Sequence, residues 1–339
     1  MTAREWLQDL TALRAASGLE RSVHDYLRVH LEGLSDRLTT DGAGNLVAWR
    51  DGPDDSPLVL VAAHADQVAM RVRAVLPGGY LRVSAPSIDL RCLQGLTVEA
   101  EGQPGVVGML PPHLRRGGEP DKPLEESDVY VDMGGGTPPP VGTPVYFRVA
   151  PRALGQGRLS APALDNRASV AAACLLLEAL RDREPNVRLA CAFTAGEEKG
   201  RGGAAFLGLA EQADLGLAVD VTFARQPEVT RRDHLMELGG GPAIGVGPNV
   251  PMPVLSLLRR SADAAGVNWQ SEPLPGDSGT DGWALQVAGL GLPTGVVSIP
   301  LRSMHSPAEV VALSDVEATT ALLAQLATAG FAREDLLWD

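Results

Sequence analysis

Apolar positions along the chain change rhythm several times. Between residues 4 and 33 they recur at helical spacing (Trp6, Leu7, Leu10, Leu13, then Val23, Tyr26, Leu27, Leu31) with a break at Ser17-Gly18. This spacing predicts two helices joined by a turn. Glu20 follows the turn, where a carboxylate favours the N-terminus of the next helix, so it is expected to help cap that helix. Asp41 to Trp49 reads as a turn leading into a strand. Leu58 to Ala63 is then a short continuous apolar run, the mark of a strand buried on both faces.

From about Met70 to Leu159 the character is different. VRVRAVL, YLRVSA, LTVEAEG, GVVGML, SDVYVDM and TPVYFRVA are short strand-like runs separated by Pro and Gly clusters, and nothing sustains a helical period. The expectation is a small all-β domain over residues 71–159, inserted into an α/β domain formed by 1–70 and 160–339. His113, in a loop of that insertion, is expected to be structural.

Helical spacing returns after Asp165 and Asn166, in an alanine- and leucine-rich stretch running to about Arg181. Strand-like VRLACAFT and DLGLAVDVTFA follow, then an amphipathic helix in VPMPVLSLLRRSADAAGV. Asp281 is placed to cap a further helix, a strand ends at Ile299-Pro300, and C-terminal helices close the domain.

Composition narrows the function. A net charge of −13 and the lack of any basic run argue against a nucleic-acid partner. The first residues carry Glu5 and Asp9 and no continuous apolar core, unlike a secretory signal, and no window approaches the ~20 apolar residues of a membrane span. Cys92, Cys174 and Cys191 form no C-x-x-C pair, so a cytoplasmic, disulfide-free protein with no membrane partner is expected.

The candidate chemistry gathers where apolar strands end. VRLACAFT stops at Gly196, and the adjacent Glu197 and Glu198 stand at the mouth of a strand-to-helix connection. His64 and Asp66 follow Leu58–Ala63. Residues two apart in an extended segment point the same way, so the aspartate can orient a metal-bound imidazole. The insertion leaves after His64 and returns before Asp165, which brings these residues near one another. Asp220 interrupts a run that should be buried and needs a cation partner. His305 lies in the loop after the last strand. Two imidazoles and three carboxylates suit two divalent ions such as zinc or cobalt with one carboxylate bridging, and a leftover glutamate supplies a general base. Two such ions can polarise a carbonyl and activate water, the working parts of an amide hydrolase.

HAD, LDNR, GEEKGRGGA, VDVT, GTDG, GLPT and IPLRSMHSP follow one another in an order and spacing that resemble the tetrahedral (TET-type) dinuclear-metal aminopeptidases, also called glutamyl or deblocking aminopeptidases and sometimes labelled endoglucanases. The resemblance runs from SGLE near the N-terminus to the C-terminal helices. It implies a zinc-exopeptidase-like α/β fold, with a mixed central sheet flanked by helices and an inserted β-barrel-like dimerisation domain. It implies His64 and Asp220 on one metal, Glu198 and His305 on the other, Asp165 bridging, Glu197 as base, Asp66 orienting His64 and a cis Asp165-Asn166 peptide. The ions implied are zinc first, cobalt or manganese otherwise. The partners implied are short peptides and further copies of the chain, dimers assembling into a dodecamer. Gln67-Val68-Ala69 stands where the family commonly has Glu-Ile-Gly, and Phe223 and Arg225 follow Asp220 in an unusual segment.

Other readings compete. The same scaffold could carry an N-acyl-amino-acid deacylase, a carboxypeptidase or a non-catalytic assembly protein. GDSGT resembles a serine-protease nucleophile signature, but it precedes a helix and no G-x-S-x-G elbow occurs. No aromatic-lined pair of carboxylates of the kind glycoside hydrolysis wants is evident.

Overall fold

The computed structural model describes residues 1–111, 123–227 and 236–337; His113 lies outside them. Helices α1 (Ala3–Ala12) and α2 (Arg21–Leu31) open the chain, the first capped by a reciprocal Thr2–Glu5 box. Strands β1 (Arg37–Thr40), β2 (Leu46–Arg50) and β3 (Leu58–His64) follow. Then come β4 (Met70–Val75), β5 (Tyr80–Ser84), β6 (Thr97–Ala100), β7 (Gln103–Met109), β8 (Val129–Asp132) and β9 (Pro144–Phe147). These six close an antiparallel barrel in the order β4-β5-β8-β7-β6-β9. The chain returns through β10 (Arg152–Leu154), β11 (Arg158–Ala161) and α3 (Leu164–Ala179). β12 (Arg188–Thr194), α4 (Gly202–Ala210), β13 (Leu215–Phe223), β14 (Ala243–Val246) and α5 (Met252–Ala264) come next. β15 (Gln270–Pro273), α6 (Asp281–Val287), β16 (Thr294–Arg302), β17 (Glu309–Ala312) and α7 (Leu313–Ala329) follow.

The main sheet is mixed. Its strands run β1-β2-β12-β3-β13-β16-β17-β11-β10, with β14 on β16 and β15 on β14. The central four, β12, β3, β13 and β16, are parallel, so their carboxyl ends share one edge. Val59, Val61 and Ala63 of β3 enter one large core together with side chains of α1, α2, α3, α5 and α7. Leu58, Leu60 and Ala62 face the other way, into a smaller cluster under α4 and α6. Helices on both faces explain why the run is apolar at every position rather than at alternate ones. The expected α/β architecture with an inserted β domain is therefore what folds. Among the described residues no helix is long and apolar enough to cross a membrane.

Several local expectations differ. The barrel ends at Phe147, and Arg152–Leu154 and Arg158–Ala161 belong to the main sheet, β11 pairing with β17. A short strand carries no mark of which sheet it joins when its partner is distant in sequence. Glu20 does not cap α2; its carboxylate accepts Gly18 N–H at 2.7 Å and Gly196 N–H at 3.0 Å. Thr280, not Asp281, caps α6, and the buried Asp281 instead accepts the Thr194 hydroxyl. β16 continues through Pro300 to Arg302.

Candidate metal centre

His64 is the last residue of β3, and Asp220 lies near the end of β13, beside it in the sheet. Between β12 and α4, Gly196 adopts φ +69°, a left-handed turn that glycine makes without a Cβ clash, and a short 3-10 turn over Glu197–Lys199 follows. Asn45 holds that turn, accepting Ala195 N–H and donating to the Gly203 carbonyl, each at 2.9 Å. Asp165 and Asn166 start α3 with non-helical backbone and a cis peptide between them. Neither acts as a helix cap. Asp165 N–H donates to Glu309, and Asn166 Nδ2 donates to the Val219 carbonyl.

These connections bring the side chains to one cavity of about 720 Å³ lined by His64, Asp165, Glu197, Glu198, Asp220 and His305 among others. His64 Nε2 lies 3.1 Å from Asp165 Oδ1 and 3.7 Å from Asp220 Oδ1. His305 Nε2 lies 3.3 Å from Asp165 Oδ2 and 3.5 Å from Glu198 Oε1. Asp165 thus offers one oxygen to each imidazole, and two donor triplets share it.

The triplets fit cations. Ligand atoms about 2.0–2.1 Å from a tetrahedral zinc stand about 3.3 Å from one another, close to the separations here. Glu198 Oε1 is buried and makes no well-formed hydrogen bond, the His305 imidazole standing 3.5 Å away, an arrangement that a cation between them would relieve. Both histidines are oriented from behind. His64 Nδ1 lies 3.3 Å from Asp66 Oδ1, and His305 Nδ1 lies 3.0 Å from the Ser87 carbonyl, leaving each Nε2 turned to the carboxylates.

Electrostatics point the same way. Burial lifts the Glu197 carboxyl to about 8 and raises those of Glu198 and Asp220. Burial opposes a charged imidazole, yet the Asp165, Asp220 and Asp66 hydrogen bonds raise His64 well above its usual value. His305, with the same opposition, is lifted to about 11 by Asp165 and Glu198. Cations entering this site would displace those protons and restore the carboxylates to their charged form.

Asp66 itself does more than face His64. Its Oδ1 accepts Glu197 N–H at 3.1 Å, its Oδ2 accepts Glu198 N–H at 3.2 Å, and the Ser17 hydroxyl donates to Oδ2 at 2.6 Å. Arg201 Nε donates to Glu197 Oε1 at 3.1 Å. Glu309, Asn45, Ser87 and Arg201 were not singled out by sequence reasoning. Glu309 stands at the first position of the strand-like EVVAL, where a carboxylate reads as a surface acid until its distant partners are known. Arg225 pairs with Glu237 at 2.9 Å and is not among the cavity-lining residues, whereas Phe223 is.

The chain resembles known proteins over nearly its whole length. The family model described as M42 glutamyl aminopeptidase matches residues 44–322. A lysyl aminopeptidase of Pyrococcus furiosus is 31% identical over 337 residues, covering 94% of each chain. The structure of aminopeptidase APDkam598 from the archaeon Desulfurococcus kamchatkensis superposes with a TM-score of 0.90 at 28% identity, covering 98% of this chain and 96% of that one. The Pyrococcus horikoshii TET1 peptidase, which can assemble into a tetrahedron or a large octahedral shell, superposes with a TM-score of 0.83 at 25% identity, covering 96% and 99%.

Proposed function

The chain belongs to the M42 glutamyl aminopeptidase family, and from that premise we propose how its own residues remove the first residue of a peptide. It is an aminopeptidase and a metallo-hydrolase. In this reading His64 and Asp220 would hold one divalent ion and Glu198 and His305 a second, with Asp165 available to both. Zinc suits this mixed imidazole and carboxylate set, with cobalt or manganese as substitutes. Ions bound there would supply Lewis acidity toward the scissile carbonyl and toward a water.

Glu197 receives the proton of the attacking water and delivers it to the departing amine. Its place suits the task, because it lines the cavity beside Glu198 and its backbone amide is held by Asp66. Asp66 sets the backbone of Glu197 and Glu198 and steadies His64. The observation that carries the reading is Asp165, whose two oxygens meet His64 and His305 separately.

The wider reading is of a cytoplasmic enzyme on short peptides. Its barrel makes dimer contacts, and dimers build a dodecamer, in keeping with the shells of the Pyrococcus horikoshii relative. Metal analysis with an assay on aminoacyl anilides, N-acetylated peptides and C-terminal substrates tests it. About two ions per chain and chelator-sensitive release from free-amino substrates are expected. Cleavage of N-acetylated substrates alone would make the enzyme a deacylase.

A further inference from the structure

One wall of the cavity carries a carboxylate that the hydrolytic reading leaves idle. Glu272 stands on β15, and its carboxylate accepts the Ser298 hydroxyl at 2.6 Å and the Thr222 hydroxyl beside it. Thr222 follows Asp220 by two residues on β13, so both side chains leave the same face of the sheet. Two residues along a strand span about 6.6 Å, comparable to the stem of a lysine side chain. Around this carboxylate the cavity is lined by Leu274 and Val296, with the exposed Phe223 at its rim. Among the described residues no Lys, Arg or His reaches Glu272, whereas the cavity's arginine, Arg201, is engaged with Glu197 and Asp277.

A wall that joins Leu274 and Phe223 to a carboxylate with hydroxyl partners and, among the described residues, no cation is complementary to one kind of side chain. The methylenes of lysine or arginine pack along apolar surface while the charged head reaches an acceptor. A glutamate or aspartate would meet like charge there, and a leucine would leave the carboxylate desolvated with nothing in exchange.

We propose that Glu272 is the specificity-determining residue of this cavity and selects peptides whose first residue is basic, lysine or arginine. The proposal rests on the aminopeptidase reading, since it assigns the first side chain to the Thr222–Glu272 wall.

The test compares lysine and norleucine p-nitroanilides, which share a four-carbon side chain and differ only in the terminal ammonium, present in lysine and replaced by hydrogen in norleucine. With the metal-loaded enzyme, kcat/KM is expected to favour lysine at least tenfold. Glu272→Gln should lower that ratio about tenfold, and Glu272→Asp should hold it between the two, each variant's thermal melt confirming a folded chain. An unchanged ratio in folded Glu272→Gln would overturn the proposal, as would a wild-type enzyme that prefers norleucine. An equal loss on both anilides would also overturn it, by moving Glu272 to the peptide's amino terminus. Failure of the aminopeptidase reading looks different: no free-amino anilide is cleaved at all, and the proposal falls with it.

Discussion

The carbonyl of Ser87, carried by the inserted barrel domain, accepts His305 Nδ1 at 3.0 Å. The two residues are separated by 218 positions in the chain. The insertion therefore reaches into the centre it was expected only to flank, and it sets the tautomer in which His305 Nε2 is free to bind a cation.

Removing the barrel should consequently be felt at the site. Met70 of β4 pairs with Val145 of β9, so a two-residue turn can replace the intervening chain. The shortened protein is expected to lose assembly by light scattering. It should also bind zinc about 10–100-fold more weakly, as the loss of a ligand's outer hydrogen bond typically costs. Undiminished zinc affinity in a folded deletion would show that Ser87 does not orient His305.

Glu309 is 1% exposed and accepts two backbone amides, Asp165 N–H at 3.0 Å and His305 N–H at 2.8 Å. Glu309→Ala leaves both donors without a partner, at about 1–3 kcal/mol each. A lower denaturation midpoint and weaker zinc retention against a chelator are expected together. Destabilisation with intact zinc retention would confine Glu309 to the fold.

The two adjacent glutamates should separate in their effects. Glu197→Gln is expected to keep bound metal and lower kcat by about 10²–10⁴, whereas Glu198→Gln should lose metal first. Metal content by elemental analysis, paired with kcat, reads the difference; unimpaired turnover in Glu197→Gln would remove it from proton transfer.

Gly203 lies where a Cβ would come within 2.3 Å of Asn45 Oδ1 and 2.5 Å of the Ala195 carbonyl. Gly203→Ala is expected to cost about 1–3 kcal/mol by overpacking and to slow turnover by shifting the turn that leads into Glu197. Urea midpoints and kcat together check this, and a fully active, fully stable variant would show that Asn45 can give way.

His24 gives the stability a pH dependence of predictable sign. It is 7% exposed with no partner at Nε2, and burial pushes its pKa from 6.5 down to about 4, with Arg167 and Arg28 adding to the depression and the Phe193 backbone and Asp25 opposing it. The unfolded chain then takes up the proton first, so this contribution is complete above pH 6.5 and is lost as pH falls toward 4. At pH 5 the loss amounts to about 2 kcal/mol relative to pH 7. His24→Leu should flatten the slope between those pH values by that amount, as measured by urea denaturation; an unaltered slope would mean the histidine protonates equally in both states.

Much of this was legible because burial and chemistry disagree in the sequence. Asp220 breaks a run that must be interior, and His64 and Glu197 stand where apolar runs end, each a weak sign that gains weight because all of them fall at one edge of the sheet. What stayed hidden has a common cause. Glu20, Asp281 and Glu309 look like helix caps or surface acids because their partners, Gly196, Thr194 and the Asp165 amide, come from distant segments. β10 and the start of β11 were assigned to the insertion for the same reason, the place of β11 being decided by β17 and that of β10 by β11.

Because Asp66 grips both amides of the Glu197-Glu198 pair, neither glutamate can be retuned without dragging the other. The freer ground is β15, a four-residue outermost strand whose backbone pairs with β14 alone among the described strands. There substitutions can reshape what is accepted while leaving untouched how it is cut.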